Sequence, residues 1–166
     1  YRRQGDWRQA RTCSERVERL RLETGRRPPM VDTSARLHLD TSAHAGDLTS
    51  AHQAFERMQE LIAIHPGYAP YAHYGPAVIE ALRGNLTLAL EHCERALVLA
   101  PAGEHPTWPW IVNCKLETLI ELGRLEEARD AGSGYLEQAR AIGLGVMADH
   151  VEVPLALAEA RLGDCA

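Results

Sequence analysis

Apolar residues recur every three or four positions through most of this chain, in runs that end at glycine or proline. In "LTLALEHCERALVLAP", residues 86–101, Leu86, Leu90, Cys93 and Leu97 fall on one helical face, and Pro101 stops the run. No stretch shows the apolar–polar alternation of a half-buried strand, and no hairpin signal separates two such stretches. The pattern predicts an all-α protein. Helices are expected over residues 7–24, 30–45, 47–64, 70–83, 86–100, 107–122, 125–141 and 146–162. Connections are expected at 24–29, 65–69 and 102–106, with a short turn at 143–145.

The helices pair through a repeated phrase. Gly5-Asp6-Trp7, Gly46-Asp47-Leu48, Gly84-Asn85-Leu86, Gly123-Arg124-Leu125 and Gly163-Asp164-Cys165 begin 41, 38, 39 and 40 residues apart. In the four complete copies an alanine stands five residues after the glycine: Ala10, Ala51, Ala89 and Ala128. Glycine can end a helix with positive φ, Asp or Asn can cap the next one, and the small alanine lets the two approach closely. Each unit is therefore two antiparallel helices. The whole chain, 1–166, reads as a single array of about four units, incomplete at both ends and belonging to a larger protein.

The sequence resembles the tetratricopeptide (TPR) repeat family. Within residues 70–103, Ala77, Gly84, Ala89, Ala96 and Pro101 occupy the small-residue, turn, packing and stop positions of that unit, and Ala51 with Phe55 matches its second submotif. Ser14, Cys93 and Gly132 stand where the family has an aromatic, and the period is four to seven residues longer. The resemblance implies an α-solenoid of antiparallel helix pairs wound into a right-handed superhelix, with the first helix of each unit lining a groove. It assigns groove positions to Thr33, Arg36, Asp40 and Ala43; to Tyr71, Tyr74, Val78 and Ala81; to Trp110, Asn113, Glu117 and Ile120; and to His150, Val153, Leu157 and Ala160. Clamps of this family that hold a C-terminal carboxylate carry Lys and Asn at two of these positions. Here the same positions read Arg36, Tyr74, Asn113, Val153 and Asp40, Val78, Glu117, Leu157, and two acids would repel a carboxylate.

The stretch "HPGYAPYAHYGPA", residues 65–77, reads in this frame as a junction between units followed by a helix start, with Pro70 at the tolerant first turn. Tyr71 and Tyr74 are three apart and so share a helix face. Together with Trp110 they are expected to offer a partner large aromatic surface. Asp40 and Glu117 flank them, which favours a basic and apolar partner segment.

Composition narrows the function classes. Apolar residues make up 45% and charged residues 25%, as in folded globular chains. No run approaches the roughly 20 apolar residues of a membrane span. Residues 1–36 hold ten arginines against five acids, while the remainder holds eight basic residues against eighteen acids. The arginines alternate with acids and, beyond Trp7, lack interleaved aromatics, so nucleic-acid binding is not expected. Four widely spaced cysteines without CxxC point to free thiols in a reducing, cytoplasmic setting.

Motifs that carry chemistry fail on context. Gly143-Leu144-Gly145-Val146-Met147-Ala148 follows a helix where a dinucleotide loop needs a strand. Gly132-Ser133-Gly134 lies inside a helix and predicts a close crossing or bend. Histidines and cysteines lack zinc spacing, and Cys93 with Cys114 is expected to form a buried thiol pair. Asp40 and His44 read as a surface pair one turn apart. No catalysis, cofactor or metal is expected. The reading is a protein–protein interaction module whose groove residues are Arg36, Asp40, Tyr71, Tyr74, Val78, Trp110, Asn113 and Glu117. A ligand-sensing region of a bacterial signalling or transcription regulator is the alternative, as is a self-assembly module that forms homo-oligomers through exposed repeat ends.

Overall fold

The computed structural model describes residues 33–144 and 148–163, with Gln9, Thr12, Cys13, Arg16, Arg19 and Leu20. The first glycine phrase with Ala10, Ser14, the connection at 24–29, Gly145 and Cys165 lie outside the described residues. Among the described residues there are seven α-helices with bounds and no strand: α1 (Thr33–His44), α2 (Leu48–Ile64), α3 (Tyr71–Leu82), α4 (Leu86–Leu99), α5 (Trp108–Glu121), α6 (Leu125–Ala141) and α7 (Asp149–Leu162). The boundaries expected for these seven agree to within three residues, while those of the helix expected over 7–24 lie outside the described residues.

Three tight turns join α1 to α2, α3 to α4 and α5 to α6, and all are built alike. Gly46, Gly84 and Gly123 take φ of 70°, 82° and 73°, a region costly for residues with a Cβ. Each glycine N–H bonds the carbonyl three residues back, and the next N–H bonds the carbonyl five back, satisfying the last acceptors of the helix. The residue after the glycine behaves less uniformly than the sequence predicts. Asp47 caps α2, accepting from the Ser50 N–H at 2.9 Å. Asn85 instead donates to Glu80 Oε2 at 2.6 Å, and Arg124 donates through Nε to Glu127 at 2.9 Å.

Consecutive helices pack on one another, and α1 touches α3, α3 touches α5 and α5 touches α7. Ala51, Ala89 and Ala128 are all buried. Leu39, Met58, Ile111, Leu116 and Leu119 are fully buried as well; each contributes about 1.5–3 kcal/mol of transfer free energy.

The side chains nine residues after each turn glycine are matched in size across the junctions between helix pairs. Phe55 of α2 lies against Gly75 of α3, where a Cβ would come within 2.1 Å of the ring. At the next junction the corresponding position is Cys93, which meets Cys114. At the third it is Gly132, whose Cβ would stand 3.1 Å from the Leu155 side chain. Large faces small, medium faces medium, and small faces large, so each junction fills its volume differently. The close crossing expected at Gly132 is present, whereas Gly134 borders open space.

Candidate functional site

The odd-numbered helices present equivalent positions, counted back from their closing glycines. Ten residues before Gly46, Gly84, Gly123 and Gly163 stand Arg36, Tyr74, Asn113 and Val153; six before stand Asp40, Val78, Glu117 and Leu157. Thirteen before the last three stand Tyr71, Trp110 and His150. The ring contacts and packing of α1, α3, α5 and α7 bring several of these side chains together, and in two different ways.

On α1 and α3 they form a closed polar cluster. Arg36 donates from Nη1 to Asp40 Oδ2, an i,i+4 pair on α1 with both side chains buried. The Tyr74 hydroxyl donates to Asp40 Oδ1 at 2.7 Å, so one carboxylate holds partners from two helices. The Arg36 guanidinium also lies 3.9 Å from the centre of the Trp110 ring on α5, a cation–π contact that reaches past α3. Arg36 Nε is buried without a hydrogen-bond partner among the described residues. Tyr71 adjoins the cluster: its ring centre is 6.4 Å from that of Tyr74 and 5.7 Å from Tyr68, both tilted, and 6.4 Å from His105, which it meets edge-on. Burial, reinforced by the Asp40 charge, pushes the Tyr74 hydroxyl well above the ordinary tyrosine range. Burial likewise raises Tyr71.

The opening junction supports this arrangement. Pro66–Tyr68 forms a 3₁₀ turn capped by His65, whose Nδ1 accepts from the Gly67 N–H at 3.0 Å. His105 Nε2 bonds the Gly67 carbonyl at 2.8 Å, tying this junction to the next. Residues 65–70 are thus an ordered connection that delivers Tyr71 to the cluster.

On α5 and α7 the same positions are open. Trp110 and Asn113 are half-buried and Glu117 is exposed. Val153 and Leu157 are 68% and 43% exposed, large values for branched apolar residues on one helix face. Trp110 and His150 meet with ring centres 5.6 Å apart, and Leu119 and Ile120 share a cluster with Ala158. These contacts fix a parallel register of about forty residues, which puts Asn113 level with Val153 and Glu117 level with Leu157. Glu117 reaches solvent, yet protein around its carboxyl still displaces part of its hydration. Poor hydration raises its carboxyl above the ordinary range, while Asn113 and the His44 charge pull the other way.

The predicted groove residues therefore divide. Trp110, Asn113 and Glu117 keep accessible surface, while Arg36, Asp40, Tyr71, Tyr74 and Val78 are buried by one another and by their neighbours. Asp40 does not form the surface pair expected with His44; its carboxylate turns inward, and His44 Nδ1 bonds the Asp40 carbonyl instead, at 2.6 Å. Sequence reasoning missed the reach of Arg36 to Trp110 and the exposure of Glu121 one turn beyond Glu117. The Arg-x-x-x-Asp spacing of Arg36 and Asp40 was the available signal for their pairing.

Elsewhere, Cys93 and Cys114 are free and buried. Their mutual hydrogen bond and burial push the Cys114 thiol well up, which makes it a poor nucleophile. His73 and His92 stack with ring centres 5.7 Å apart. Among the described residues no three His, Cys, Asp or Glu side chains converge as metal ligands, and no helix is long and apolar enough to cross a membrane. No family model, no curated protein and no solved structure matches this chain.

Proposed function

We propose that this chain is a TPR-like α-solenoid that serves as a protein–protein interaction module, holding a partner segment on the shared face of its first helices. The carrying observation is the bare stripe on α7, Val153 and Leu157, beside the half-buried Trp110 of α5. Folded proteins seldom leave branched and aromatic side chains contiguous and uncovered unless something docks there. The repeated hairpin turns and the buried alanines support the repeat architecture.

The test is affinity capture with the chain as bait, followed by mass spectrometry, in parallel with a Val153→Glu/Leu157→Glu bait. A partner retained by the first bait and lost by the second supports the reading. Equal capture by both, or capture only of the chain itself, overturns it; the latter outcome assigns the stripe to self-assembly.

A further inference from the structure

We infer that the open half of this face, on α5 and α7, receives a segment that is both apolar and cationic, its apolar side chains on Val153 and Leu157 and its Lys or Arg on Glu117 and Glu121. The inference rests on the partner-binding reading above and specifies the partner's chemistry. The acids of this face are not equivalent. Asp40 already holds Arg36 and the Tyr74 hydroxyl, and it is buried, so it offers nothing to a newcomer. Glu117 and Glu121 are exposed, one helical turn apart, and close enough for each to repel the other's charge. Neither has an ion-pair partner among the described residues.

Nearby cations do not remove that demand. Lys115 turns to Glu94 at 3.5 Å, and Arg140 faces Glu152 at 3.8 Å. Arg161 is exposed and level with Glu121 in the α5–α7 register, yet it makes no ion pair there among the described residues. Two carboxylates without an ion-pair partner among the described residues, beside a bare apolar stripe, are complementary to a segment with the reverse pattern. Size agrees with a segment. From His150 to Leu157 the stripe runs about 10 Å along α7, enough for two or three side chains of a helix or a short extended strand. The raised carboxyl of Glu117 fits as well: the Asn113 hydrogen bond and the His44 charge do not offset its poor hydration, and an incoming ammonium or guanidinium would add to their pull.

Two synthetic peptides of about 15 residues test this, one with leucine at helical spacing and lysine between, the other with glutamate in place of lysine. Binding is measured by fluorescence anisotropy to the full chain and to two variants whose fold is checked by circular dichroism. The lysine peptide should bind at least about tenfold more tightly than the glutamate peptide, and Glu117→Lys/Glu121→Lys should reverse that order. Leu157→Asp should weaken the lysine peptide by about tenfold. Failure of the lysine peptide to bind, equal binding of both peptides, or an unchanged order in the charge-reversed variant overturns the inference. Its failure is distinct from that of the module reading: a partner captured through Val153 and Leu157 whose bound segment lacks Lys and Arg keeps the module and ends this proposal.

Discussion

The shared face of α1 and α3 and that of α5 and α7 use equivalent positions for opposite ends. At the position ten residues before the closing glycine, Arg36 and Tyr74 are buried, while Asn113 is half-buried and Val153 exposed. Six residues before it, Asp40 and Val78 are buried, while Glu117 and Leu157 are exposed. The difference lies in what the side chains can reach. Arginine is long, forked and planar, so Arg36 grips Asp40 with one nitrogen while its plane lies on Trp110 of α5. Valine and leucine on α7 have no such reach and no polar partner to seek. One half of the face is thus spent on holding units together, and the other half remains surface. A repeat's position in the frame says where a side chain points, not whether anything is left of it for a partner.

The sharpest way to break this contrast is to remove Asp40. Asp40→Ala would leave the Arg36 cation buried without its counter-charge, and such a loss costs about 3–5 kcal/mol. Urea unfolding should show a midpoint shift of that size; a loss below about 1 kcal/mol would mean that Arg36 escapes to solvent and that the cluster is not closed. Tyr74→Phe is the gentler probe. It keeps the ring in place but deletes the hydroxyl that donates to Asp40 at 2.7 Å, and a hydrogen bond to a charged group is worth about 1.5–3 kcal/mol. The same unfolding series should place Tyr74→Phe between wild type and Asp40→Ala. Because the two residues share one carboxylate, the double variant should fall short of the sum.

Much of this fold was legible in the sequence. The glycine phrases located three observed hairpin turns, since only a residue without Cβ adopts φ near +70° to +80° cheaply. The alanines five residues after each turn glycine are buried, as their small size leads one to expect. What the sequence concealed depends on distance. Nothing local says that Arg36 meets Trp110, because the packing of α1, α3 and α5 decides it. Nor does the period reveal that Gly75 and Leu155 answer Phe55 and Gly132, since those matches lie across junctions of unequal length, whereas the Cys93–Cys114 pair is legible from the stacking of neighbouring helices. Helical spacing puts Tyr71 and Tyr74 in one neighbourhood, and their ring centres lie 6.4 Å apart. Their burial was not visible, because helical spacing gives direction without telling what stands opposite.

Smaller effects belong to the open half. The Glu117 carboxyl is raised mainly by poor hydration, so folding favours its protonated form. Its contribution to stability is therefore greatest at low pH and falls as pH rises from the ordinary glutamate value of 4.5 through the raised value in the fold. Glu117→Gln removes the charge and with it this slope. Since the side chain reaches solvent, the gain at pH 7 should be only a few tenths of a kcal/mol. Thermal melts of the two proteins from pH 4 to about 8 should diverge upward in pH, with the variant the more stable. Curves that converge as pH rises would mean that a cation already compensates Glu117.

The smallest expected effect is the most discriminating for the contrast. Val153 and Leu157 are exposed, so Val153→Ser/Leu157→Ser gives up little contact within the fold and should change stability by no more than about 0.5 kcal/mol. The same reduction in apolar volume in the closed half, at the fully buried Leu39, would cost several times as much through the cavity it leaves. Urea midpoints of the serine variant and of Leu39→Ala, measured side by side, check this. Near-identity of the serine variant with wild type, against a loss of about 2–5 kcal/mol for Leu39→Ala, separates an accessible stripe from a packed one. A serine variant that also loses more than about 2 kcal/mol would show that Val153 and Leu157 are covered within the folded protein, and the open half would no longer be open.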